Sequence, residues 1–240
     1  REILNFNGER ITYRDFGGRV LAAARDLVRA GGQPGDKVLI QMANCLEVIV
    51  LQFAVWRIGA VNVPIIPVYR HHEVRQIVEN VRPQAVAVTA RIKERNYCAE
   101  LDAILAETGV APVAKYAVGA PAGAAGWRAV PKPADAADYV VLPEPAESDR
   151  CALILFTSGT TSAPKGAMLS GRAILANSRT YIRTHQLTER YVGLAGSPLA
   201  HIAALSICVI TPLMVGGRAV VLPAWDPDAA TELVLSEGAN

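Results

Sequence analysis

Between Lys37 and Thr89 the chain alternates short apolar runs with longer helical patterns, and this rhythm restricts the fold more than any other feature. Lys37 to Met42 reads as a strand, Cys45 to about Ile58 as a helix, and Ala60 to Ile66 as a second strand. Glu73 to Val81 is again helical, and Ala85 to Thr89 is a third strand. Strands joined through helices run parallel, and parallel sheets are covered on both faces. The expectation is an α/β fold of mostly parallel sheets flanked by helices in layers. The helix after Cys45 is apolar nearly all round, so it belongs inside, and Asn44 is placed to cap it.

The same alternation continues on either side. Thr12 and Asp15 form a capping box for a helix whose inner face is Phe16, Val20, Ala24, Leu27 and Val28, stopped by Gly31, Gly32 and Pro34. Ser170 is the N-cap of a helix to about His185, and strand Val192 to Ala195 follows. Next come a buried helix from about His201, strand Arg218 to Leu222, and a last helix with Asp226 and Pro227 at its start and Gly238 past its end. Residues 119–148 break the pattern with five prolines and many small residues, which reads as a surface connection with Tyr139 to Leu142 strand-like.

Residues 153–169, LILFTSGTTSAPKGAML, are the candidate site. An apolar strand ends at Phe156, and Thr157, Ser158, Thr160, Thr161 and Ser162 then offer five hydroxyls. Gly159 lets backbone approach an anion closely, and Lys165 adds a charge for phosphate oxygens. A Walker loop would place glycine before its lysine and a hydroxyl after it. Here Pro164 precedes Lys165 and Gly166 follows it, and Pro164 biases Ala163 towards an extended conformation. The loop therefore returns into a strand, Ala167 to Leu169, rather than opening a helix.

Composition excludes several alternatives. A net charge of +2 over 240 residues, without a basic run interleaved with aromatics, argues against nucleic acid. Cys45, Cys98, Cys151 and Cys208 form no C-x-x-C pair and read as buried, reduced thiols of a cytoplasmic protein, with no metal site. The longest apolar stretch, Leu199 to Val215, contains His201 and Pro212 and falls short of the roughly 20 residues of a membrane helix, so no transmembrane segment is expected. No secretory signal is expected. His71, His72, His185 and Trp56 have no chemical context and read as surface or helix-packing residues.

The 153–169 loop resembles the signature loop of the adenylate-forming superfamily, which includes acyl-CoA synthetases (AMP-dependent acid–CoA ligases), luciferases and the adenylation domains of peptide synthetases. Four further segments resemble that family in order: Ile11 to Phe16, Trp56 to Pro64, Ser197 to Leu205 (its P-L-x-H-x-x-G segment) and Pro212 to Leu222 (its glycine-rich hairpin). The resemblance implies the fold of an acyl-CoA synthetase N-terminal domain, truncated. Residues 36–172 would form one α/β subdomain carrying the phosphate loop, 1–35 and 173–240 parts of a second, and the C-terminal domain would be absent. The family's ribose-holding aspartate and distal lysine would lie beyond Asn240, leaving the isolated chain inactive.

The implied reaction is ATP-dependent activation of a carboxylic acid to an acyl-adenylate, followed by thioesterification to CoA. Thr157, Ser158, Gly159, Thr160, Thr161, Ser162, Pro164, Lys165 and Gly166 would hold the nucleotide, with Lys165 and His201 catalytic. ATP with Mg2+ and the co-substrate CoA are the implied cofactors, and a homodimer is left open. Family members that select amino acids place an aspartate in the His201 segment. Gly193 to Val221 holds none, which favours a fatty, alicyclic or aromatic acid with Ile202, Leu205 and Ile207 near it. Two positions depart from the family: Ser162 and Ala204 stand where it has glycine, the first straining the loop if φ is positive and the second narrowing the acyl pocket. An acyl-AMP ligase loading a carrier protein and a non-catalytic nucleotide-binding fragment are the alternatives.

Overall fold

The computed structural model describes residues 1–120, 126–133, 141–144, 147–157 and 164–240. A hairpin of β1 (Glu2–Phe6) and β2 (Glu9–Thr12) opens the chain and leads into α1 (Tyr13–Arg29). The Thr12 hydroxyl accepts from the Asp15 N–H, and the Asp15 carboxylate accepts from the Thr12 N–H, closing the expected capping box. Then come β3 (Lys37–Gln41), α2 (Leu46–Arg57), β4 (Val61–Pro64), α3 (His71–Val81) and β5 (Ala85–Thr89). A small ribbon of β6 (Arg91–Ile92) and β7 (Arg95–Asn96), α4 (Tyr97–Thr108) and β8 (Ala114–Val118) follow. The chain continues through β9 (Cys151–Thr157), β10 (Lys165–Ser170), α5 (Gly171–His185) and β11 (Val192–Ala195). It closes with α6 (Ile202–Leu205), a π turn (Ser206–Ile210), α7 (Thr211–Val215), β12 (Arg218–Val221) and α8 (Pro227–Glu237).

Two sheets carry the fold. The larger has the order β10-β9-β4-β3-β5-β8, with only β10 antiparallel to its neighbour; the smaller has the order β11-β12-β1-β2, with only β2 antiparallel. The two-residue period of the strands separates two cores. Val38, Ile40, Ala85 and Ala87 face the inner core with Ile3, Leu4 and Ala219 of the smaller sheet and the buried faces of α1 and α2. Leu39, Val63, Val86 and Val88 face outward under Ile77 and Val78 of α3 and Leu101 and Ile104 of α4. The layers therefore run small sheet, inner helices, large sheet, outer helices. Because β3 is followed by β4 on one side and flanked by β5 on the other, the large sheet reverses its winding there, and ligands of such sheets collect at carboxyl strand ends.

Several expectations are corrected. Asn44 does not cap α2: Cys45 is the N-cap, without a side-chain cap bond, and the Asn44 amide is spent on distant backbone. Pro212 to Leu222 is not a hairpin, because α7 leads through Gly216 into β12, which pairs in parallel with both β11 and β1. The helix after His201 is interrupted: Pro212 has no N–H to give the Cys208 carbonyl, and the preceding turn widens so that the Thr211 N–H bonds Ser206 O. Of the four cysteines, all free, only Cys45 is buried, and burial pushes its thiol up to about 12. Ala204 and Leu205 are packed in the inner core, while Ile202 and Ile207 are half-buried. Val141 and Leu142 have no strand structure, and Tyr139 lies outside the described residues. Among the described residues no helix is long and apolar enough to cross a membrane.

Candidate active site

Of the phosphate-loop candidates, Thr157 ends β9, Pro164 precedes β10, and Lys165 and Gly166 begin it. Thr157 and Lys165 are register partners across the antiparallel pair, and Gly166 faces Phe156. Thr157, Lys165 and Gly166 are exposed and Pro164 is half-buried. Residues carrying a hydroxyl and an ammonium thus stand opposite each other in the ladder. Ser158, Gly159, Thr160, Thr161 and Ser162 lie outside the described residues. Gly166 is needed for close packing: a Cβ there would stand 2.9 Å from Ile154 Cγ2 and 3.2 Å from Phe156 Cζ. The strand return after Pro164 is present and longer than expected, spanning Lys165–Ser170.

His201 lies on the other sheet. It follows the carboxyl end of β11 and is the N-cap of α6, with its side chain exposed. Its backbone N–H donates to Pro198 O at 2.8 Å, and its ring Nδ1 accepts from the Ala203 N–H at 3.3 Å. An accepting Nδ1 leaves the proton of a neutral imidazole on Nε2. His201 is therefore set up to donate outward from Nε2 rather than to accept.

Residues without an obvious chemical signal bring the two sheets' carboxyl edges together. Asn44, three residues past the end of β3, donates to Ser197 O at 2.9 Å and Leu222 O at 3.0 Å, and accepts from the Leu199 N–H at 2.8 Å. Gln52 of α2 donates to Leu199 O at 3.3 Å, and Asn62 of β4 donates to Gln52 O at 2.9 Å. Gln52 and Asn62 are fully buried. A glutamine inside LEVIVLQFAVWR and an asparagine inside VNVP are the sequence signals that would have found them, since a buried amide needs partners; here each NH2 group has one, while Gln52 Oε1 and Asn62 Oδ1 have none.

Other candidates separate from the site. His71 pairs with Glu107, His72 lies 3.2 Å from Gln76, and His185 packs on Tyr181. Trp56 packs edge-on to Phe53 and donates to Ala152 O at 2.7 Å. A mostly apolar cavity of about 300 Å³, lined by Phe53, Trp56, Ala152, Ile174, Leu175 and Ile210 among others, opens near Cys151. Cys151 begins β9 and Thr157 ends it, so the cavity and Thr157 are separated by about 20 Å of strand. It is no part of a phosphate site.

A family model for AMP-binding enzymes matches residues 1–239. The chain is 28% identical to the medium-chain fatty-acid–CoA ligase of Escherichia coli (strain K12) over 234 residues, covering 97% of this chain and 41% of that protein. It is 30% identical to a feruloyl-CoA synthase of Amycolatopsis sp over 230 residues, covering 96% of this chain and 42% of that protein. The crystal structure of ATP-bound MatB from Rhodopseudomonas palustris superposes with a TM-score of 0.82 at 28% identity, covering 98% of this chain and 45% of that one. The chain thus spans less than half the length of these relatives. With the match running from the first strand to the last helix, the chain belongs to the AMP-binding enzyme family.

Proposed function

We propose that this chain supplies the phosphate grip and one acid-facing edge of an AMP-forming acid–CoA ligase. A carboxylate oxygen attacks the α-phosphorus of ATP, the bond to the β-phosphate breaks, and pyrophosphate leaves. In the second step the CoA sulfur attacks the acyl carbon, its proton is lost, and AMP leaves. The observation that supports this reading is the Thr157–Lys165 register pairing at the carboxyl end of β9, the strand end at which ligands of such sheets collect. Ser158, Gly159, Thr160, Thr161 and Ser162 complete the grip, and Lys165 offsets the charge of departing pyrophosphate. His201 donates from Nε2 to a carboxylate or α-phosphate oxygen and so orients the attack.

Mg2+ fits as the nucleotide's own counter-ion: among the described residues no group of three or more His, Cys, Asp or Glu could hold a metal, so phosphate oxygens would be its main ligands. A fatty, alicyclic or aromatic acid fits the absence of any acidic residue from Gly193 to Val221, since a buried ammonium requires a counter-charge. The names of the E. coli and Amycolatopsis relatives support the same substrate class. The free thiols fit a reducing cytoplasm. The large sheet is the phosphate-binding subdomain, the small sheet part of a second.

ATP–pyrophosphate exchange with a panel of carboxylic acids, measured on the protein at the full length of its relatives, tests the first step; thioester analysis with CoA tests the second. His201→Ala should lower acid-dependent exchange at least tenfold. Lys165→Ala should weaken pyrophosphate binding about tenfold, the loss of one charge-assisted contact. Undiminished exchange in both variants would remove these roles. The isolated 240-residue chain should bind pyrophosphate weakly without turnover.

A further inference from the structure

Asn44 stands beside the start of α2, yet it forgoes the local cap and places every bond it makes on distant main chain. Its partners are Ser197 O, Leu199 N and Leu222 O, all in segments that follow the carboxyl ends of β11 and β12. The side chain is only 6% exposed, so these bonds do not compete with bulk water. Gln52 reaches the same segment from α2 and donates to Leu199 O. The N–H and C=O of Leu199 are therefore both held by side chains from the large-sheet half of the molecule. Two residues later His201 closes a turn onto Pro198 O and fixes its ring on the Ala203 N–H.

We propose that Asn44 is a positioning residue: it locks the Ser197–Leu199 segment against the large sheet and so fixes where the His201 ring points relative to the Thr157 and Lys165 register pair. Asn44 touches neither nucleotide nor acid in this account. It acts through the main chain of Leu199, with Gln52 as its second clamp. The catalytic consequence rests on the acid-activation reading, whereas the placement of His201 does not. An asparagine suits this task because one planar amide supplies two donors and an acceptor in a fixed geometry. Aspartate at the same size would turn both donors into acceptors facing the Ser197 and Leu222 carbonyls.

The test compares Asn44→Ala, Asn44→Asp and Gln52→Met with the parent. In the 240-residue chain, amide hydrogen exchange at Leu199 and nitrogen NMR of the His201 ring are read first. Leu199 should exchange at least tenfold faster in both Asn44 variants, and the His201 ring should lose its single tautomer signature, with the amides of β9 and β10 unchanged. Gln52→Met removes only the bond to the Leu199 carbonyl and should move the same signals less. In the full-length protein, the Asn44 variants should lower kcat of acid-dependent exchange tenfold or more while the KM for ATP stays within twofold.

Unmoved Leu199 and His201 signals in Gln52→Met and in whichever Asn44 variant folds would overturn the proposal, as would unchanged kcat in a folded Asn44 variant. Should neither Asn44 variant fold, the Gln52→Met result decides alone. If the parent shows no exchange with any acid while the His201 signals still respond, the acid-activation reading fails and the positioning of His201 stands.

Discussion

Gly193→Ala should show how tightly the His201 helix is seated on the small sheet. A Cβ at Gly193 would lie 2.7 Å from Cys208 O, 2.9 Å from Cys208 Cα and 3.1 Å from Cys208 C, all backbone atoms of the π turn. Ordinary contact begins near 3.4 Å, so helix and strand must part by about 0.7 Å. Val209 and Ala195 beside the contact are fully buried, which leaves no slack for that movement. Overpacking of this kind costs about 1–3 kcal/mol, and a backbone obstacle places the cost near the upper end, about 2–3 kcal/mol. For a domain of this size the midpoint of thermal unfolding should fall by roughly 5–10 °C in calorimetry. Gly17→Ala is the matched control: it lies within α1 with nothing inside 4 Å of its built Cβ, and should stabilise by about 0.5–1 kcal/mol. A melting temperature for Gly193→Ala within a degree of the parent would refute the reasoning, since it would mean that the π turn is not pressed on β11.

Two further outcomes follow from polar groups outside the site. Glu237 at the end of α8 accepts from Arg218 and Arg10, and from Asn5 at 3.0 Å; chiefly the Arg218 hydrogen bond holds its carboxyl below its ordinary 4.5. A carboxyl lowered on folding contributes stability above its unfolded value, and this is lost as pH falls through the folded one. Urea titrations from pH 7 down through the range below 4.5 should therefore show a steeper stability loss in the parent than in Glu237→Gln, which should itself be weaker at pH 7 by about 2–3 kcal/mol; parallel curves would rule the clasp out. The buried Tyr116 hydroxyl donates to Asp26 at 2.7 Å, and burial first, then Asp26, pushes its pKa up and so keeps it un-ionised. Tyr116→Phe should cost about 1–2 kcal/mol in chemical denaturation, and a neutral result would show that the bond is matched by water in the unfolded chain.

What was legible in the sequence was local, and what was not depended on choices made across the fold. Thr12 and Asp15 lie within one turn of each other, and nothing competes with the cap they form. Asp226, Pro227 and Gly238 bound α8 for the same reason, as donors and dihedral preferences set by adjacent residues. Asn44 had a local option of the same kind, a cap on α2, and a better distant one, three main-chain partners buried from water. No pattern in the adjacent residues distinguishes these outcomes, because the partners are 153 to 178 positions away. The widened turn before Pro212 shows the same limit: its proline was visible, but how the freed Cys208 carbonyl is accommodated depends on Gly193 in another element. The candidate site is built the same way. Its proposed phosphate half is contiguous in sequence, and Thr157, Lys165 and His201 are candidates from the chain alone. Its halves lie on different sheets, and hydrogen bonds from Asn44 and Gln52 to the segments after β11 and β12 join them beside the shared apolar core. In a site shared by two sheets, the residues that would touch substrate are read from local pattern, while those that set the distances between them are buried polar side chains in apolar elements. The places to look for such residues are therefore polar positions whose local roles are left unfilled.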